Sequence, residues 1–292
     1  MDKIKNLLIN LNLCSESSIQ LYHPKVRDRS DISVLKCNNS GIIFLSSSDH
    51  VDQSHYTNKS GFDYWSSKDR NTVLQNCLSD TTRRTEFLKP YGVNKNWLDV
   101  GTGVGAILDS FSPLAKKTTS VEPQEQVRNH LIDLGYECFE SINEVGDNIY
   151  DLVTLFHVFE HLTDPIEDLK QLHRKMTVGA KIILEVPHAN DILLSLFDLE
   201  CFKNFTFWSE HLILHTRQSL FSFLKYAGFD EIIIEGCQRY SLPNHLHWLS
   251  QNKPGGHEKW SFLMSDDLDK AYANKLASID KTDTLIAVAS KT

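Results

Sequence analysis

The glycine-rich stretch at residues 97–105, Trp-Leu-Asp-Val-Gly-Thr-Gly-Val-Gly, constrains the fold of this chain more than any other part. A short apolar run ends near Asp99, and three glycines follow at alternate positions. Glycine lacks a Cβ, so the backbone can turn sharply there and approach a bound ligand closely. Residues 106–111 then have the pattern of a helix. Strand, glycine turn and helix together predict the opening unit of a nucleotide-binding α/β fold.

The alternation of strands and helices after this turn predicts a doubly wound sheet. Further strands are expected at 118–122, 136–140, 150–156, 181–187, 229–235 and 284–290. A helix is expected to run to about Met176, with Gly179 ending it. The fold class is therefore α/β, with a mostly parallel seven-stranded sheet in residues 81–292. Two segments, 188–215 and 237–281, are expected as insertions near the carboxyl edge of the sheet, where ligands bind in such folds.

Composition limits the possible partners. The chain has 292 residues and a formal net charge of −8, without a basic block, which argues against nucleic acid as a partner. No apolar run approaches the roughly 20 residues that span a bilayer. The six cysteines are scattered and form no C-x-x-C pair, which favours reduced thiols and a cytoplasmic location. The oligomeric state cannot be predicted from these features.

Residues 1–80 are expected to form an N-terminal cap. Two strands are predicted at 33–37 and 41–45, and a helix at 69–87 that ends before Pro90. The polar stretch between them carries several aromatic residues, and Tyr64 is among those expected to cover the core edge or a ligand.

The glycine turn leaves two cofactors open. It fits the G-x-G-x-G pattern of S-adenosylmethionine sites and, with Ala106, the G-x-G-x-x-A pattern of nicotinamide sites. Glu122 closes the second strand, where a carboxylate can accept hydrogen bonds from ribose hydroxyls. Pro123 follows and sets the backbone for the next helix.

With these residues in view, the chain resembles the class I S-adenosylmethionine-dependent methyltransferases. Residues 99–105 resemble the first motif of that superfamily, and residues 159–165, Phe-Glu-His-Leu-Thr-Asp-Pro, resemble its E-H-L-x-D-P segment. The resemblance covers about residues 80–292. It implies S-adenosylmethionine as the cofactor and a final strand that runs antiparallel. The cofactor-binding residues that it implies are Asp99, Gly101, Thr102, Gly103, Gly105, Glu122, Pro123, Glu140, Phe156 and His157.

The N-terminal part resembles a more specific branch, the sugar C-methyltransferases. Those enzymes carry a small zinc module that ends in a C-x-x-C-G turn, and Cys37 to Gly41 resembles that turn with Ser40 in place of the second cysteine. A structural zinc ion needs four ligands, so we predict a metal-free cap. The carboxylates of the chain are not spaced as a metal cluster, and no other metal is expected. Residues 244–257 resemble methyltransferases associated with bacterial surface polysaccharides.

These features predict methyl transfer to a hydroxyl, or a carbon, of a sugar or glycan-linked small molecule. Histidine is the usual base near neutral pH. His211 is the first candidate, because the aromatic insertion places it at the ligand edge, and its neighbour Glu210 is expected to bind substrate. His161 is the second candidate. Other expected substrate-binding residues are Tyr64, Trp208, His245, His247 and His257.

Other functions remain open at this level. The acceptor could instead be the hydroxyl of a non-sugar metabolite or a lipid. A non-catalytic S-adenosylmethionine-binding protein would carry the same turn, and a nicotinamide-dependent oxidoreductase could also use it. Asp99 and the E-H-L segment fit the oxidoreductase poorly.

Overall fold

A computed structural model describes residues 3–51 and 69–292 of the chain. Tyr64, one of the expected substrate-binding residues, lies outside the described residues. Among the described residues no helix is long and apolar enough to cross a membrane.

The helices of the described residues, numbered here in chain order, flank two sheets. They are α1 (Lys3–Asn10), α2 (Arg70–Asn76), α3 (Leu78–Gly92), α4 (Ala106–Phe111), α5 (Glu125–Asp133), α6 (Pro165–Lys175), α7 (Ile192–Ser195), α8 (Glu200–Thr206), α9 (Arg217–Tyr226), α10 (Leu242–Gln251), α11 (Gly256–Lys259) and α12 (Asp266–Ser278).

The strands divide between a small sheet and a large one. They are β1 (Ile19–His23), β2 (Val34–Cys37), β3 (Ile43–Leu45), β4 (Asn96–Val100), β5 (Lys117–Val121), β6 (Cys138–Phe139), β7 (Tyr150–Phe156), β8 (Met176–Pro187), β9 (Ile213–Leu214), β10 (Asp230–Cys237) and β11 (Thr284–Ser290).

The large sheet has seven strands in the order β10-β11-β8-β7-β4-β5-β6. The five strands from β8 to β6 are parallel, while β11 pairs antiparallel with both β8 and β10. The predicted α/β fold with a mostly parallel seven-stranded sheet is confirmed, and so is the antiparallel final strand. The strand order reverses beside β4, which makes the carboxyl ends of β4, β5 and β7 the expected ligand edge.

The central strands are buried on both faces, as their apolar sequences require. Residues 152–155 of β7 and residues 182–186 of β8 have almost no exposed surface. One polar chain crosses this core: Trp97 Nε1 donates to Thr154 Oγ1 at 2.8 Å, and Thr154 Oγ1 donates to Asp99 Oδ1 at 2.5 Å. The hydrogen bonds satisfy the buried polar groups and direct the Asp99 carboxylate toward the glycine turn.

The small sheet has the order β1-β2-β3-β9, with antiparallel pairing throughout. The predicted strands at 33–37 and 41–45 correspond to β2 and β3, while β1 and β9 were not predicted. β9 belongs to the insertion at 188–215, so a segment far along the chain completes the N-terminal sheet. A two-residue strand carries too little periodicity to be found from sequence.

Four small side chains lie together beneath this sheet. Cys37 Sγ lies 3.3 Å from Ser18 Oγ, and Cys14 Sγ lies 4.0 Å from Ser40 Oγ. All four residues are buried. Two cysteines and two serines from separate segments thus occupy one compact cluster, and only the Cys37 and Ser40 pair was visible in the sequence.

Two local expectations differ from the structure. The single helix expected at 69–87 is interrupted at Cys77, and α3 then continues to Gly92 with Pro90 in its last turn. The helix therefore also continues across the expected domain boundary between residues 80 and 81. Gly179 does not follow a helix directly; it lies within the long strand β8 at φ +82°, where its N–H donates to Lys291 O.

The two insertions pack against each other through a small apolar cluster. Ile192 and Leu193 of the first insertion meet Trp248 and Leu276 of the second. The Trp248 ring also packs edge-on against Phe202, with ring centroids 5.2 Å apart. The insertions thus form one layer beside the carboxyl edge of the sheet.

Candidate active site

The glycine turn lies between the end of β4 and the first residue of α4. Gly101, Gly103 and Gly105 have φ of +69°, +55° and +79°, values that favour glycine over any residue with a side chain. A Cβ on Gly101 would also lie 2.4 Å from Val158 Cγ2. The turn folds over the adjacent strand, because the N–H groups of Gly101 and Thr102 both donate to Val121 O.

Glu122 links this turn to the end of β5. Its Oε2 accepts from Gly103 N at 2.8 Å and its Oε1 accepts from Gln124 N at 2.9 Å. Burial raises the pKa of Glu122 to about 7, although the two backbone hydrogen bonds oppose the shift. Each carboxylate oxygen retains a further acceptor position, which a ribose hydroxyl of a bound cofactor can use.

Asp99 is the second buried carboxylate of this edge. Burial raises its pKa to about 6, and the hydrogen bond from Thr154 opposes that shift. Arg70 stabilises the outer side of the glycine turn, because its Nε donates to Val104 O at 2.8 Å and its Nη2 donates to Asp109 Oδ2 at 2.7 Å. Arg70 was not identified from the sequence, because it lies some thirty residues before the motif.

The residues present fit an adenosyl cofactor. The turn has no side chains at its three glycines, and a carboxylate with open acceptor positions lies beside it. Gln124 Oε1 is buried without a hydrogen-bond partner within the described residues. A buried polar atom of this kind is costly unless something satisfies it, and a polar group of a bound ligand would do so.

The other cofactor residues expected from sequence lie around the same edge. Arg128 Nη1 donates to the backbone oxygens of Glu122 and Pro123, and its Nη2 donates to Glu140 at 3.1 Å. Glu140 is exposed and paired with this arginine. Phe156 ends β7 and lies under the Arg84 guanidinium, 4.8 Å from the ring centroid.

His157 follows β7 with a positive φ of +55°, which turns its ring back toward the edge of the sheet. His157 Nε2 lies 2.9 Å from Arg239 Nη1 and 3.3 Å from Glu185 Oε1, and His157 Nδ1 lies 3.1 Å from Glu160 Oε1. Arg239 in turn pairs with Asp80 of α3. These residues come from separate segments of the chain, so no local sequence pattern shows them together.

Glu185, fully buried in β8, is another residue that the sequence interpretation missed. Both Arg83 and Arg84 of α3 donate to its carboxylate, at distances between 2.6 and 3.1 Å. Burial would raise the pKa of Glu185, but the contact with His157 and the charges of Arg84 and Arg83 hold it well below its usual value. A charged residue inside the apolar run 182–186 was the signal that could have identified it.

The structure brings His161, His211 and Trp208 together. The His161 and His211 rings lie edge-to-face with centroids 5.0 Å apart, and Trp208 lies 5.5 Å from His211 and 6.2 Å from His161. Leu212 N donates to Glu160 O at 2.9 Å, which ties the two histidine-bearing segments to each other. Two regions separated by some fifty residues in sequence thus form one cluster of side chains.

Glu160 sets the electrostatics of this cluster. Burial alone would raise its pKa, but the His157 hydrogen bond and the neighbouring imidazoles lower it to about 2. Burial lowers the pKa of His211 to about 3, so this ring is neutral at neutral pH and its lone pair is available. Single ligand atoms of Glu160, His161 and His211 lie within 4.8 Å of one another, so these three described residues form a group that could hold a metal ion.

The remaining predicted histidines lie in the second insertion. His245 Nδ1 lies 2.8 Å from Tyr272 OH, and His247 Nδ1 lies 2.8 Å from Lys253 O. Both are buried, and His257 is half-exposed near Glu258. Among the described residues, the hydrogen bonds, ion pairs and ring contacts of these three histidines are all within the second insertion.

The fold and the edge geometry agree with one class of protein, the methyltransferases that use S-adenosylmethionine, and the family comparison assigns the chain to it. A family model described as a methyltransferase domain matches residues 70–233, more than half of the chain, and the protein belongs to this family. S-adenosylmethionine is its cofactor, and the implied class I methyltransferase assignment is confirmed.

Individual relatives are distant. A ubiquinone biosynthesis O-methyltransferase of Sodalis glossinidius is 27% identical over 106 residues, which are 33% of this chain and 43% of that protein. The match therefore spans less than half of the relative. A SAM-dependent methyltransferase from Archaeoglobus fulgidus has a TM-score of 0.51 at 17% identity, covering 76% of this chain and 95% of its own.

A third similarity is to a complex of the Trm112 methyltransferase activator with a methyltransferase from Haloferax volcanii. It has a TM-score of 0.55 at 14% identity and covers 80% of this chain and 98% of that one. At these identities the two solved structures establish the fold and nothing finer.

Proposed function

We propose that this methyltransferase acts on a hydroxyl group, or a carbon, of a sugar or of a glycan-linked small molecule. The observation that carries the proposal is that the segment bearing His211 continues directly into a strand of the N-terminal sheet. β9 begins two residues after His211 and pairs with β3, so the cap and the cluster are built as one unit. The cap is the part that resembles the zinc module of sugar C-methyltransferases.

The buried cluster of Cys14, Ser18, Cys37 and Ser40 supports this resemblance. Four side chains converge from two segments at separations close to those of ligands around a tetrahedral metal. With two of them serine, the cluster serves as a metal-free packing unit. The cap of residues 1–80 and the insertions at 188–215 and 237–281 are, in this proposal, what adapts a common catalytic domain to its acceptor.

S-adenosylmethionine supplies an electrophilic methyl group on a sulfonium sulfur. The glycine turn and Glu122 bind it, and Phe156 and His157 line the same edge. His211 accepts the proton of the acceptor hydroxyl as the oxygen–carbon bond forms and the carbon–sulfur bond breaks. The ionised Glu160 stabilises the resulting imidazolium. A positioned base of this kind is typically worth about 10² to 10⁴ in rate.

The other residues named from sequence complete the proposed acceptor site. Trp208 supplies an aromatic face beside both imidazoles, and Glu210 binds acceptor hydroxyls. His161 is the second candidate for the base. Tyr64, His245, His247 and His257 are proposed for the outer wall of the acceptor site.

The test is transfer of a labelled methyl group from S-adenosylmethionine to separate pools of nucleotide sugars and oligosaccharides. We expect labelled sugar with the wild-type chain and a loss of about 10² or more with His211→Gln. His173→Gln is the matched control, since His173 lies in the last turn of α6 against Phe229. Full activity of His211→Gln, or no labelled sugar while S-adenosylmethionine binds, would contradict the proposal.

A second acceptor class is the hydroxyl of a non-sugar metabolite or lipid. The observation that favours it is the local similarity to a ubiquinone biosynthesis O-methyltransferase. The same assay with a pool of phenolic and lipid alcohols distinguishes the two classes, because only one pool should become labelled. A protein that binds the cofactor and labels neither pool would be a non-catalytic binder.

A further inference from the structure

The segment that carries Trp208 and His211 is held from outside by the N-terminal cap. Between the end of α8 at Thr206 and the start of β9 at Ile213, the chain forms no helix or strand. Its internal hydrogen bonds are a turn from His211 N to Trp208 O at 3.1 Å and the contact of Leu212 N with Glu210 O. Irregular segments of this kind depend on neighbouring groups for a single conformation.

The turn at residues 26–31 supplies those groups. Asp28 accepts from Ser209 twice, from the backbone N–H at 3.0 Å and from Oγ at 2.6 Å. Arg27 N donates to Phe207 O at 2.8 Å, and the Arg27 guanidinium lies 4.7 Å from the centroid of the Trp208 ring. Ser209 is buried whereas Arg27 and Asp28 are exposed, so these hydrogen bonds are partly shielded from water.

Further contacts come from both sides of this turn. His50 Nε2 lies 2.6 Å from Ser209 O, which places a third polar contact on the same serine. Phe207, buried at 1% exposure, packs against Tyr22 and His23 of β1, with ring centroids 5.8 and 5.6 Å apart. Both sides of the short segment before His211 are therefore anchored to the cap.

The turn itself is rigid enough to act as an anchor. Val26 is buried at 2% exposure, and its N–H lies within hydrogen-bond distance of both Arg29 O and Ile32 O. Asp28 stays ionised at neutral pH, because the Ser209 hydrogen bonds hold its pKa below the usual value even though burial opposes them. Hydrogen bonds to a charged acceptor are stronger than those to a neutral one.

We infer that Asp28, with Arg27, is a positioning residue of the active site: it fixes Ser209 and thereby the orientation of Trp208 and His211 toward the acceptor. The inference rests on the proposed function, in which His211 is the base. We call the contacts of Arg27, Asp28 and His50 with residues 207–209 the clamp. The cofactor site is independent of this clamp. Within the described residues, Arg27, Asp28 and His50 make no hydrogen bond or ring contact with the glycine turn or Glu122.

The clamp therefore predicts a separation of kinetic effects. Loosening it should lower kcat for the acceptor reaction and leave the affinity for S-adenosylmethionine unchanged. A displacement of about 1 Å in a catalytic group can cost about 10² in rate. We expect Asp28→Ala to lower kcat at least tenfold, and Asp28→Asn, which keeps one acceptor oxygen, to recover part of that loss.

The experiment uses the full chain labelled with ¹⁵N-histidine. The His211 ring resonance, assigned with His211→Gln, should shift or broaden in Asp28→Ala and return toward its wild-type position in Asp28→Asn. Asp31→Ala is the matched control, because Asp31 is an exposed carboxylate three residues away that pairs with Arg29. Calorimetry should give dissociation constants for S-adenosylmethionine that agree within twofold among the wild-type chain, Asp28→Ala, Asp28→Asn and Asp31→Ala.

The outcomes separate this inference from the proposed function. An unchanged His211 resonance and unchanged kcat in Asp28→Ala would overturn the clamp. If Asp28→Ala fails to fold, Ser209→Ala removes only the 2.6 Å bond and must show the same resonance shift on a smaller scale. Full activity of His211→Gln would instead overturn the proposed base, while a shifted His211 resonance in Asp28→Ala would still establish the positioning contact.

Discussion

Glu122 has two roles in the candidate cofactor site, of which its position at the end of a strand indicates only the contact with the cofactor. Its two oxygens hold the backbone of the glycine turn and of the next helix start, so the same carboxylate shapes the site and faces the cofactor. Glutamine in its place keeps the size but turns one acceptor into a donor against a backbone N–H.

Glu122→Gln should therefore weaken S-adenosylmethionine binding by about tenfold to a hundredfold, since a hydrogen bond to a charged group is worth about 1.5–3 kcal/mol. Isothermal titration calorimetry measures the change. Glu125→Gln, an exposed substitution in the first turn of α5, is the control and should bind normally. Equal affinity of the two variants would show that Glu122 does not contact the cofactor.

His215 shows how a buried residue makes stability depend on pH. Its ring is fully buried, stacks on Phe159 at 5.1 Å, and lies 3.2 Å from Ser219 Oγ. Burial lowers its pKa from 6.5 to about 4. As pH falls below 6.5 the unfolded chain takes up this proton first, so the stabilising effect of keeping the ring neutral is lost between about pH 6.5 and 4.

His215→Asn should flatten the pH dependence of the free energy of unfolding in this window. Urea denaturation at pH 7, 6, 5 and 4 measures it, with each value compared with the wild-type chain. His257→Asn changes a half-exposed histidine and should leave the wild-type slope in place. Parallel curves for wild type and His215→Asn would mean that the pKa of His215 is the same in the folded and the unfolded chain.

At the scale of elements, the small sheet is assembled from segments that lie far apart in the chain. Strands β1, β2 and β3 supply three of its members, and β9 supplies the edge directly after the histidine segment. Beneath it, two cysteines and two serines occupy positions suited to four ligands. Ligand sulfurs around a tetrahedral zinc ion at 2.3 Å lie roughly 3.8 Å apart, close to the 3.3 and 4.0 Å separations found here.

Ser18→Cys with Ser40→Cys should convert this cluster into a zinc site that binds one ion per chain. Elemental analysis after dialysis against Zn²⁺ measures the ratio, and Co²⁺ absorption reports thiolate coordination. The wild-type chain and the single variant Ser40→Cys, which lack four thiolates, should retain less metal. A double variant that folds but binds no Zn²⁺ would contradict the proposed relation of the cap to a zinc module.

At the scale of the whole molecule, buried charges join the helix before the glycine turn to the middle of the sheet. Glu185 in β8 pairs with Arg83 and Arg84 of α3, and Asp80 of the same helix pairs with Arg239 beyond β10. These contacts connect segments that are some hundred residues apart. Both Glu185 and Arg239 also contact His157, which directly follows β7 at the carboxyl edge of the sheet.

Removing the Glu185 carboxylate should lower the free energy of unfolding substantially. Glu185→Ala leaves two guanidinium groups without their buried partner, and breaking such a pair costs about 3–5 kcal/mol. Urea denaturation should show this loss, whereas Glu167→Ala, which removes an exposed carboxylate paired with Arg174, should change stability by about 1 kcal/mol or less. Similar effects of the two variants would mean that the Glu185 pairs contribute little to stability.

The sequence by itself determined the α/β class, the position of most strands of the large sheet and the glycine turn, whereas the choice of cofactor depended on the resemblance to a known family. The fold class, the strands and the turn follow from local periodicity and from glycines whose backbone angles few other residues adopt. Residues close together in the sequence are therefore enough to predict them. The strand at 284–290 and the strand at 150–156 were located to the residue.

Only the tertiary structure decided which distant side chains meet. β9 is too short to have a pattern, and Arg239, Arg27 and Asp28 carry no local signal. Their partners lie across loops whose path depends on packing of the entire chain. The histidines named from sequence were candidates among thirteen; the fold brings His161 and His211 together and holds His245 and His247 in the second insertion.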